Sequence, residues 1–280
     1  MLIAQLTDLH ALPEGRKLDG IIDTNAMLSA AVNALRLLPQ SPDLVVLSGD
    51  LSEDGSAESY QALRDRLAPL EAPILPIAGN HDRRDALRNA FSDLGLFPPD
   101  GPLHYSLDAG PLCFIALDTL EEGRGGGRLD RERLKWLEKT LHAAVRRETV
   151  IVMHHPPFAS GIHWMDAAGF EGLGDFQNLI RGRTHVRSIL CGHLHRSMSS
   201  AISGVPAIAA PSTCYQLHLD FSPTAEPQIN LERPAYCLHR WSDGLLVTHV
   251  QPVHPDAPIP VTSESWRRKA AYARALEDAR

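Results

Sequence analysis

The sequence is poor in cysteine and has no basic tract. Its four cysteines are Cys113, Cys191, Cys214 and Cys237, and no two of them form a C-x-x-C pair. Three lie in apolar, strand-like surroundings, which predicts buried, reduced thiols rather than disulfides or a thiolate metal site. The formal net charge is −7, and no basic block of the kind found in nucleic-acid-binding tails is present, so we expect no nucleic-acid polymer as a partner.

Long hydrophobic runs are also missing. No apolar stretch approaches the ~18 residues that a membrane span requires, so we expect no membrane partner. The opening residues MLIAQLTD reach an acid at Asp8 without a basic segment, unlike a secretory signal peptide. Together with the reduced thiols, this predicts a cytoplasmic protein. The chain is long enough to bury a full core without disulfides.

Short apolar runs recur along the chain. They are LIAQL (2–6), LVVLS (44–48), ILPIA (74–78), LCFIAL (112–117), TVIVM (149–153), VRSIL (186–190) and PAIAA (206–210). Because they are continuously apolar rather than alternating, they predict strands covered on both faces. Helical periodicity lies between them at 23–38, 56–67 and 129–145, with Asp23 or Thr24, Ser56 and Asp130 as N-caps. Strands that alternate with helices predict an α/β fold in which sheets pack between helical layers.

Toward the C-terminus the pattern changes to strand-like pieces without long helices. PAYCLHRW (234–241) and LLVTHVQP (245–252), joined by Ser-Asp-Gly, predict a hairpin. Segment 213–233 is predicted to be either an arm or lid or a packed surface loop, and an arm would favour a homodimer or larger homo-oligomer. We assign 1–250 to one domain and 251–280 to a C-terminal tail with a short amphipathic helix.

Polar clusters follow five of the apolar runs. They are TDLH (Asp8, His10), SGD (Asp50), AGNHD (Asn80, His81), MHH (His154, His155) and CGHLH (His193, His195). Sites in open α/β sheets gather at the carboxyl ends of strands, so we expect the clusters to meet. Side chains at i and i+2 of an extended chain point to the same side. Asp8 and His10 should therefore aim at one point, and so should His193 and His195.

These side chains offer nitrogen and oxygen ligands and no thiolate, which suits first-row divalent ions such as zinc, manganese or iron. They are too many for a single tetrahedral ion, but they suit two adjacent ions that share a carboxylate. Such an ion pair is the usual clamp for phosphate-ester hydrolysis. Two dications outweigh two carboxylates, so the site would attract a phosphodiester monoanion. We therefore predict a centre of two divalent ions that hydrolyses phosphate esters.

The ordered set D-x-H, GD, GNHD, HH and GHLH resembles that of the calcineurin-like metallophosphoesterase superfamily. More narrowly, KLDGIIDTN (17–25), MHHPP (153–157) and PAYCLHRW resemble stretches of bacterial class III cyclic-nucleotide phosphodiesterases and the related glycerophosphodiesterases. The likeness covers roughly residues 1–250. It implies a four-layer α/β/β/α sandwich of two mixed sheets flanked by helices.

The resemblance also assigns ligands to each ion. The first ion would bind Asp8, His10, Asp50 and His195. The second ion would share Asp50 and would also bind Asn80, His154 and His193. A hydroxide held by the ions would be the nucleophile. His81 belongs to the motif but is not a ligand, and it would contact the phosphate rather than act as a general acid.

The implied activity is hydrolysis of small phosphodiesters, with 3′,5′-cyclic nucleotides such as cAMP as the expected substrates. Glycerophosphodiesters of phospholipid headgroups are the alternative. The related glycerophosphodiesterases carry a histidine near the substrate where this chain has Tyr215, and this difference leaves the choice of substrate open. A non-catalytic scaffold with this fold, like the retromer subunit, is the alternative from another class. We disfavour it because every ligand position is retained.

Other motifs receive plainer interpretations. Glu53 stands where purple acid phosphatases place a tyrosine ligand, and GNHD differs from the GNHE of phosphoprotein phosphatases, so neither class fits. The glycine-rich segment 122–129 lacks the lysine and Ser/Thr of a P-loop and is predicted to be a flexible loop. Asp118 is expected to cap or turn the chain and Asp82 to begin a helix. His155 could lie at the rim of the site or serve a structural role behind the ligands.

Overall fold

The computed structural model describes residues 1–260 and 263–278. Its strands are β1 (Leu2–Leu6), β2 (Leu44–Ser48), β3 (Ile74–Ile77), β4 (Tyr105–Ala109), β5 (Leu112–Leu117), β6 (Gly127–Arg128), β7 (Glu148–Met153), β8 (Phe170–Glu171), β9 (Val186–Cys191), β10 (Met198–Ile202), β11 (Val205–Ala209), β12 (Gln216–Leu217), β13 (Ile229–Asn230), β14 (Ala235–Ser242) and β15 (Leu245–Pro252). Its α-helices are α1 (Thr24–Arg36), α2 (Ala57–Leu67), α3 (Arg84–Ala90), α4 (Arg131–Ala143), α5 (His163–Asp166), α6 (Leu173–Ile180) and α7 (Glu264–Asp278).

Two mixed sheets form the centre of the fold. The first has the strand order β15-β14-β1-β2-β3, in which β1, β2 and β3 run parallel and β14 and β15 run antiparallel to their neighbours. The second has the order β10-β11-β9-β7-β5-β4, with a parallel centre and an antiparallel strand at each edge. The parallel strands thus form the middle of the sandwich.

The two sheets pack face to face, and helices cover their outer faces. Ile3 and Val46 of the first sheet pack against Phe114 and Val152 of the second in one buried cluster. The next residues along the strands, such as Ala4, face α1 and α2 instead. On the other side β5, β7 and β9 pack against α4 and α6. This alternation confirms the predicted α/β/β/α sandwich and explains why the strands read as continuously apolar.

The predicted elements lie close to their observed positions. The seven apolar runs form strands that agree with the predicted bounds to within one residue at each end, and the C-terminal hairpin forms as β14 and β15. Asp23 rather than Thr24 caps α1, because its side chain accepts a hydrogen bond from the backbone of Ala26 at 2.9 Å. Ser56 and Asp130 cap α2 and α4 as predicted.

The C-terminal tail contains α7, whose side chains are exposed from Glu264 to Ala275. The predicted tail also includes Val261, Thr262, Ala279 and Arg280, which lie outside the described residues. Among the described residues no helix has the length and apolar character to cross a membrane.

Candidate metal centre

The seven predicted ligands meet at one end of the sandwich. Each follows the carboxyl end of a parallel strand: Asp8 and His10 follow β1, Asp50 follows β2, Asn80 follows β3, His154 follows β7, and His193 and His195 follow β9. Because parallel strands present their carboxyl ends at the same edge, both sheets contribute to the same site. The fold thus gathers all the clusters that the sequence analysis singled out.

One group of ligands is fully enclosed. Asp8, His10, Asp50 and His195 are buried, and their ligand atoms all lie within 4.8 Å of one another. The Nε2 atom of His195 is 3.1 Å from Nε2 of His10 and 3.4 Å from Oδ1 of Asp8. These are the four residues predicted to bind the first ion.

A second group lies beside it and is more open. Nε2 of His154 is 3.2 Å from Oδ1 of Asn80 and 3.3 Å from Oδ2 of Asp50. The His193 ring is half-buried, with its centroid 5.1 Å from that of His154. Oδ2 of Asp50 is also the atom that faces His10, at 3.9 Å. One carboxylate oxygen therefore faces both groups.

The backbone fixes the tautomers of two imidazoles. Nδ1 of His154 is 2.9 Å from the carbonyl oxygen of Ser48, and Nδ1 of His195 is 3.0 Å from that of Tyr215. A carbonyl oxygen can only accept, so each Nδ1 carries the proton. In the neutral ring the Nε2 atom then presents a lone pair toward the carboxylates. This is the tautomer that a metal-binding imidazole requires.

Glu53 fixes the same tautomer in His10. Its Oε2 atom lies 2.6 Å from Nδ1 of His10, which places the proton there and turns the Nε2 lone pair toward His195. Two Nε2 atoms that face each other at 3.1 Å, beside two buried carboxylates, call for a shared proton or a metal cation among them. The donor set therefore fits divalent ions.

The electrostatics of the centre follow from buried charge. Burial alone would lower the pKa of His154, but the Asp50 carboxylate outweighs it and raises that pKa to about 9. The burial of Asp50 opposes its ionisation, yet the charge and hydrogen bond of His154 hold the Asp50 pKa well below its usual range. Burial lowers the pKa of His195 to about 4. The carboxylates thus attract positive charge strongly.

The ligands converge for a different reason from the one predicted. Five of them have positive φ angles: Asp8 (53°), His10 (46°), Asp50 (49°), His193 (71°) and His195 (47°). They lie in left-handed turns beyond the strand ends, so the i, i+2 alternation of an extended chain is wrong as an explanation. Non-glycine residues rarely adopt this conformation, and such strain concentrates at functional sites.

Glycines next to the ligands leave room for other ligands. A Cβ atom on Gly49 would overlap the His154 ring, and one on Gly79 would overlap the backbone and carboxylate of Asp50. Gly49 also has φ of 93°, which an L side chain rarely adopts. Neither contact has a local sequence signal, because the first joins the two sheets and the second joins the turns that follow the neighbouring strands β2 and β3.

His81 lies at the mouth of the centre. Its backbone N–H donates to Oδ1 of Asp50 at 2.9 Å, which leaves Oδ2 free to face both groups. Its side chain is 36% exposed, and Nδ1 is 3.1 Å from the carbonyl oxygen of Glu53. The ring therefore remains accessible to a bound molecule. Tyr215 lies nearby, with its ring centroid 4.5 Å from that of His195.

Asp82 does not begin a helix, contrary to the prediction. Helix α3 begins at Arg84, and the Asp82 carboxylate is buried behind the centre. It accepts hydrogen bonds from the backbone N–H groups of Gly79 and Leu51 and from the Tyr60 hydroxyl at 2.8 Å. Burial and the Asp50 charge raise the pKa of Asp82. Asp82 thus ties together the loops that carry Asp50 and Asn80, a role that has no local sequence signal.

The remaining candidates have structural partners. Asp118 accepts a two-point contact from the Arg84 guanidinium, at 2.7 and 3.1 Å, and backbone hydrogen bonds that shape the turn. His155 is buried behind the second group, with Nδ1 2.8 Å from the Thr119 hydroxyl. Its Nε2 atom has no hydrogen-bond partner among the described residues. One ring nitrogen each of His154, His155 and His193 lie within 4.8 Å of one another, so His155 adjoins the second group although the family resemblance does not assign it as a ligand.

Comparison with known proteins agrees with this geometry. The calcineurin-like phosphoesterase family matches residues 1–197. Glycerophosphodiester phosphodiesterase GpdQ of Enterobacter lignolyticus is 31% identical, over 86% of this chain and 87% of the relative. The 3′,5′-cyclic-nucleotide phosphodiesterase alr5338 of Nostoc sp. is 31% identical, over 93% and 95%. A dimetal phosphatase from Danio rerio has the same fold, with a TM-score of 0.66 at 15% identity over 92% and 98%.

The sandwich and its two groups of imidazole, amide and carboxylate ligands around Asp50 define a metal-dependent phosphoesterase. The chain belongs to the calcineurin-like phosphoesterase family. Within it, this protein is a phosphodiesterase.

Proposed function

We propose that the protein hydrolyses small phosphodiesters with two divalent ions, and that 3′,5′-cyclic nucleotides such as cAMP are its preferred substrates. The observation that carries this proposal is the position of Oδ2 of Asp50, which lies 3.3 Å from Nε2 of His154 and 3.9 Å from Nε2 of His10. A carboxylate oxygen between two sets of lone pairs is what two ions with a shared ligand require.

The residues present would hold the ions as the family resemblance implies. The first would bind Asp8, His10, Asp50 and His195, and the second would bind Asp50, Asn80, His154 and His193. When bound, the ions would polarise the phosphate and lower the pKa of an attacking water. Nitrogen and oxygen donors suit manganese, iron or zinc, alone or mixed.

Two side chains at the mouth would orient the phosphate. Asn80 turns Oδ1 toward His154, so its NH₂ group is available to donate to a phosphate oxygen. His81 is held by its contacts with Asp50 and Glu53 while its ring remains accessible. Each would stabilise charge that develops on the phosphate oxygens, the kind of contact that contributes most to phosphoryl transfer.

The relatives named above act on cyclic nucleotides or on glycerophosphodiesters, so both substrate classes are candidates. Tyr215 lies beside His10 and His195, and a phenol can hydrogen-bond a phosphate oxygen of either substrate. We propose cyclic nucleotides first and glycerophosphodiesters second, and the substrate panel below decides between them.

Three further assignments complete the proposal. We assign catalysis to residues 1–250, although the hairpin itself continues to Pro252. Segment 213–233 would act as an arm in a homodimer or larger homo-oligomer, because Phe221 and Leu231 are well exposed on it. The four cysteines are buried and unpaired, as expected in a reducing cytoplasm. Gel filtration at several concentrations would test the assembly.

A substrate panel tests the proposal. Protein stripped of metal would be loaded with manganese and offered bis(p-nitrophenyl) phosphate, p-nitrophenyl phosphate, cAMP and glycerophosphocholine. We expect turnover of the diesters, with cAMP the best of the natural compounds. A faster reaction with glycerophosphocholine would instead identify phospholipid headgroup diesters as the preferred substrates. Turnover of none of them, with two ions bound, would contradict the proposed function.

A further inference from the structure

A small cavity adjoins the open side of the metal centre. Its volume is about 130 Å³, and its walls are mostly apolar, formed by Pro156, Phe158, Met165, Phe170 and Leu194. His193, a predicted ligand of the second ion, forms part of the same wall. A group attached to a phosphate on the ions would therefore find this cavity next to it. Pockets for whole drug-sized molecules are roughly 300–1,000 Å³, so this one fits a single ring system.

The glycine-rich segment 122–129 is not simply a flexible loop, because its residue Gly127 packs behind Phe170 and His155, two residues of the cavity wall. Gly127 pairs with Phe170 in the short parallel strands β6 and β8. A Cβ atom on Gly127 would lie within 2.8 Å of both the Phe170 ring and Cβ of His155. Only glycine allows the two rings to sit as they do, with centroids 6.4 Å apart and nearly perpendicular.

The opposite wall is held in place by Asp166. Its carboxylate accepts hydrogen bonds from the backbone N–H groups of Ser160 and Gly161, each at 2.8 Å, and from the Ser160 hydroxyl. These bonds close the loop that carries Phe158 and Met165. They also fix the orientation of the Asp166 carboxylate, which itself lines the cavity.

His155 supplies the second observation. It is 2% exposed and lines the cavity, and its Nε2 atom has no hydrogen-bond partner among the described residues. Buried polar atoms are nearly always hydrogen-bonded, because an unpaired one costs free energy. A ligand that offers a ring nitrogen or an amino group would satisfy Nε2, whereas the trimethylammonium group of choline offers neither.

We propose that this cavity holds the heteroaromatic base of the substrate. The inference rests on the proposed function, since it places the phosphate on the metal centre. Phe158 and Phe170 would contact the ring of the base, and Nε2 of His155 would hydrogen-bond one of its polar edge atoms. The phosphodiester would lie across His193. A base-binding cavity beside the centre would give the enzyme its preference for cyclic nucleotides over headgroup diesters.

Binding of two reaction-product analogues tests the inference without relying on turnover. Calorimetry on the manganese-loaded protein would compare adenosine 5′-monophosphate with ribose 5-phosphate, which carries the same phosphate and sugar but no base. We expect the nucleotide to bind at least about 10-fold more tightly, because base–aromatic stacking commonly contributes that much or more. A ratio near one in the wild type would overturn the inference.

Variants locate the effect in the cavity. Phe170→Ala should weaken nucleotide binding by about 5- to 100-fold and leave ribose 5-phosphate unchanged. His155→Leu should also lower the ratio, and Phe158→Leu serves if Phe170→Ala does not fold. Tyr272→Ala, an exposed aromatic on α7, is the matched control and should change nothing. An unchanged ratio in all cavity variants would contradict the inference.

The two proposals fail differently. Hydrolysis of bis(p-nitrophenyl) phosphate would support the phosphodiesterase assignment. If adenosine 5′-monophosphate then binds no more tightly than ribose 5-phosphate, the cavity does not bind the base and only the second proposal is wrong. If phosphocholine binds more tightly than ethyl phosphate and Phe170→Ala removes the difference, the cavity holds a choline group, and our assignment of its occupant is wrong.

Discussion

The two halves of the metal centre differ in enclosure and in support. In the first, every ligand is at most 4% exposed, and both imidazoles are braced at Nδ1, one by Glu53 and one by the Tyr215 carbonyl. In the second, Asn80 and His193 are half-buried, and an apolar cavity adjoins His193. Enclosed, oriented ligands hold a metal more firmly than mobile ones. On the proposed ligand assignment, the first half would retain an ion and the second would admit a substrate.

Asp50 joins the two halves, so the largest expected effect comes from removing it. Asp50→Ala should lower the metal content from two ions to fewer than one per chain and reduce hydrolysis at least about 1,000-fold, beyond the loss of a single charge-stabilising group. Asp65→Ala, an exposed carboxylate on α2, is the control. Full activity or two retained ions in Asp50→Ala would contradict the assignment of the shared ligand.

His81 should separate chemistry from metal binding. His81→Ala should retain both ions but slow hydrolysis about 100-fold, because the ring contacts the phosphate and not a metal. Elemental analysis alongside the kinetics would check this. If the variant lost an ion, His81 would be a ligand and the proposed second group would need to include it.

Asn80 tests the open half alone. Asn80→Ala should weaken binding of the second ion and leave the first unaffected, with turnover reduced about 10- to 100-fold, since the remaining three ligands still surround that site. Circular dichroism should show an unchanged fold, because the Asn80 side chain is half-buried. Loss of both ions together would show that the enclosed half does not retain its ion independently of the open half.

Glu53 tests the enclosed half. Glu53→Ala removes the acceptor for Nδ1 of His10 and should weaken the first ion about 10- to 100-fold, as other partners of metal-bound histidines do. The second ion should be little affected. Competition with a chelating dye would measure both affinities, and Glu58→Ala on α2 is the control. Equal weakening of both ions would contradict the stated role.

A smaller effect should come from His239, which is buried on β14. Burial lowers its pKa to about 3, and it hydrogen-bonds Gln5 at 3.0 Å and Thr248 at 2.8 Å. Its folded-state pKa is below the unfolded value, so its contribution to stability is present above pH 6.5 and is lost as the pH falls from 6.5 toward 3.

The His239→Gln variant isolates this contribution. Between pH 7.5 and 5 the wild type should lose about 2 kcal/mol more unfolding free energy than the variant, since each pH unit below 6.5 is worth ~1.4 kcal/mol. Urea unfolding in the presence of chelator, at both pH values, would measure the difference. The ligand histidines titrate equally in both proteins, so parallel pH curves would mean that His239 is not held neutral.

The sequence predicts much of this site because its signals are local. Apolar runs mark the strands, and Asp8, Asp50 and His154 stand directly after them. In an α/β fold that position alone brings them together. The fold class and the convergence of these residues were therefore accessible from the sequence.

What the sequence did not reveal depends on contacts between distant segments. Glu53 faces His10 across 43 positions, and Asp82 holds Leu51 from 31 positions away. Gly127 and Phe170 meet only because β6 and β8 pair. The left-handed backbone conformation at the ligands could not be predicted either. Glycine often signals a positive φ angle in a sequence, whereas aspartate and histidine usually have negative ones.

The most direct test of the central claim is a metal titration followed by hydrolysis. Stripped protein would receive manganese in steps, with bound metal and bis(p-nitrophenyl) phosphate turnover measured at each step. We predict that the first equivalent binds tightly and gives little activity, and that activity rises with the second and saturates at two ions per chain. Full activity with one ion, or none with two, would contradict the account.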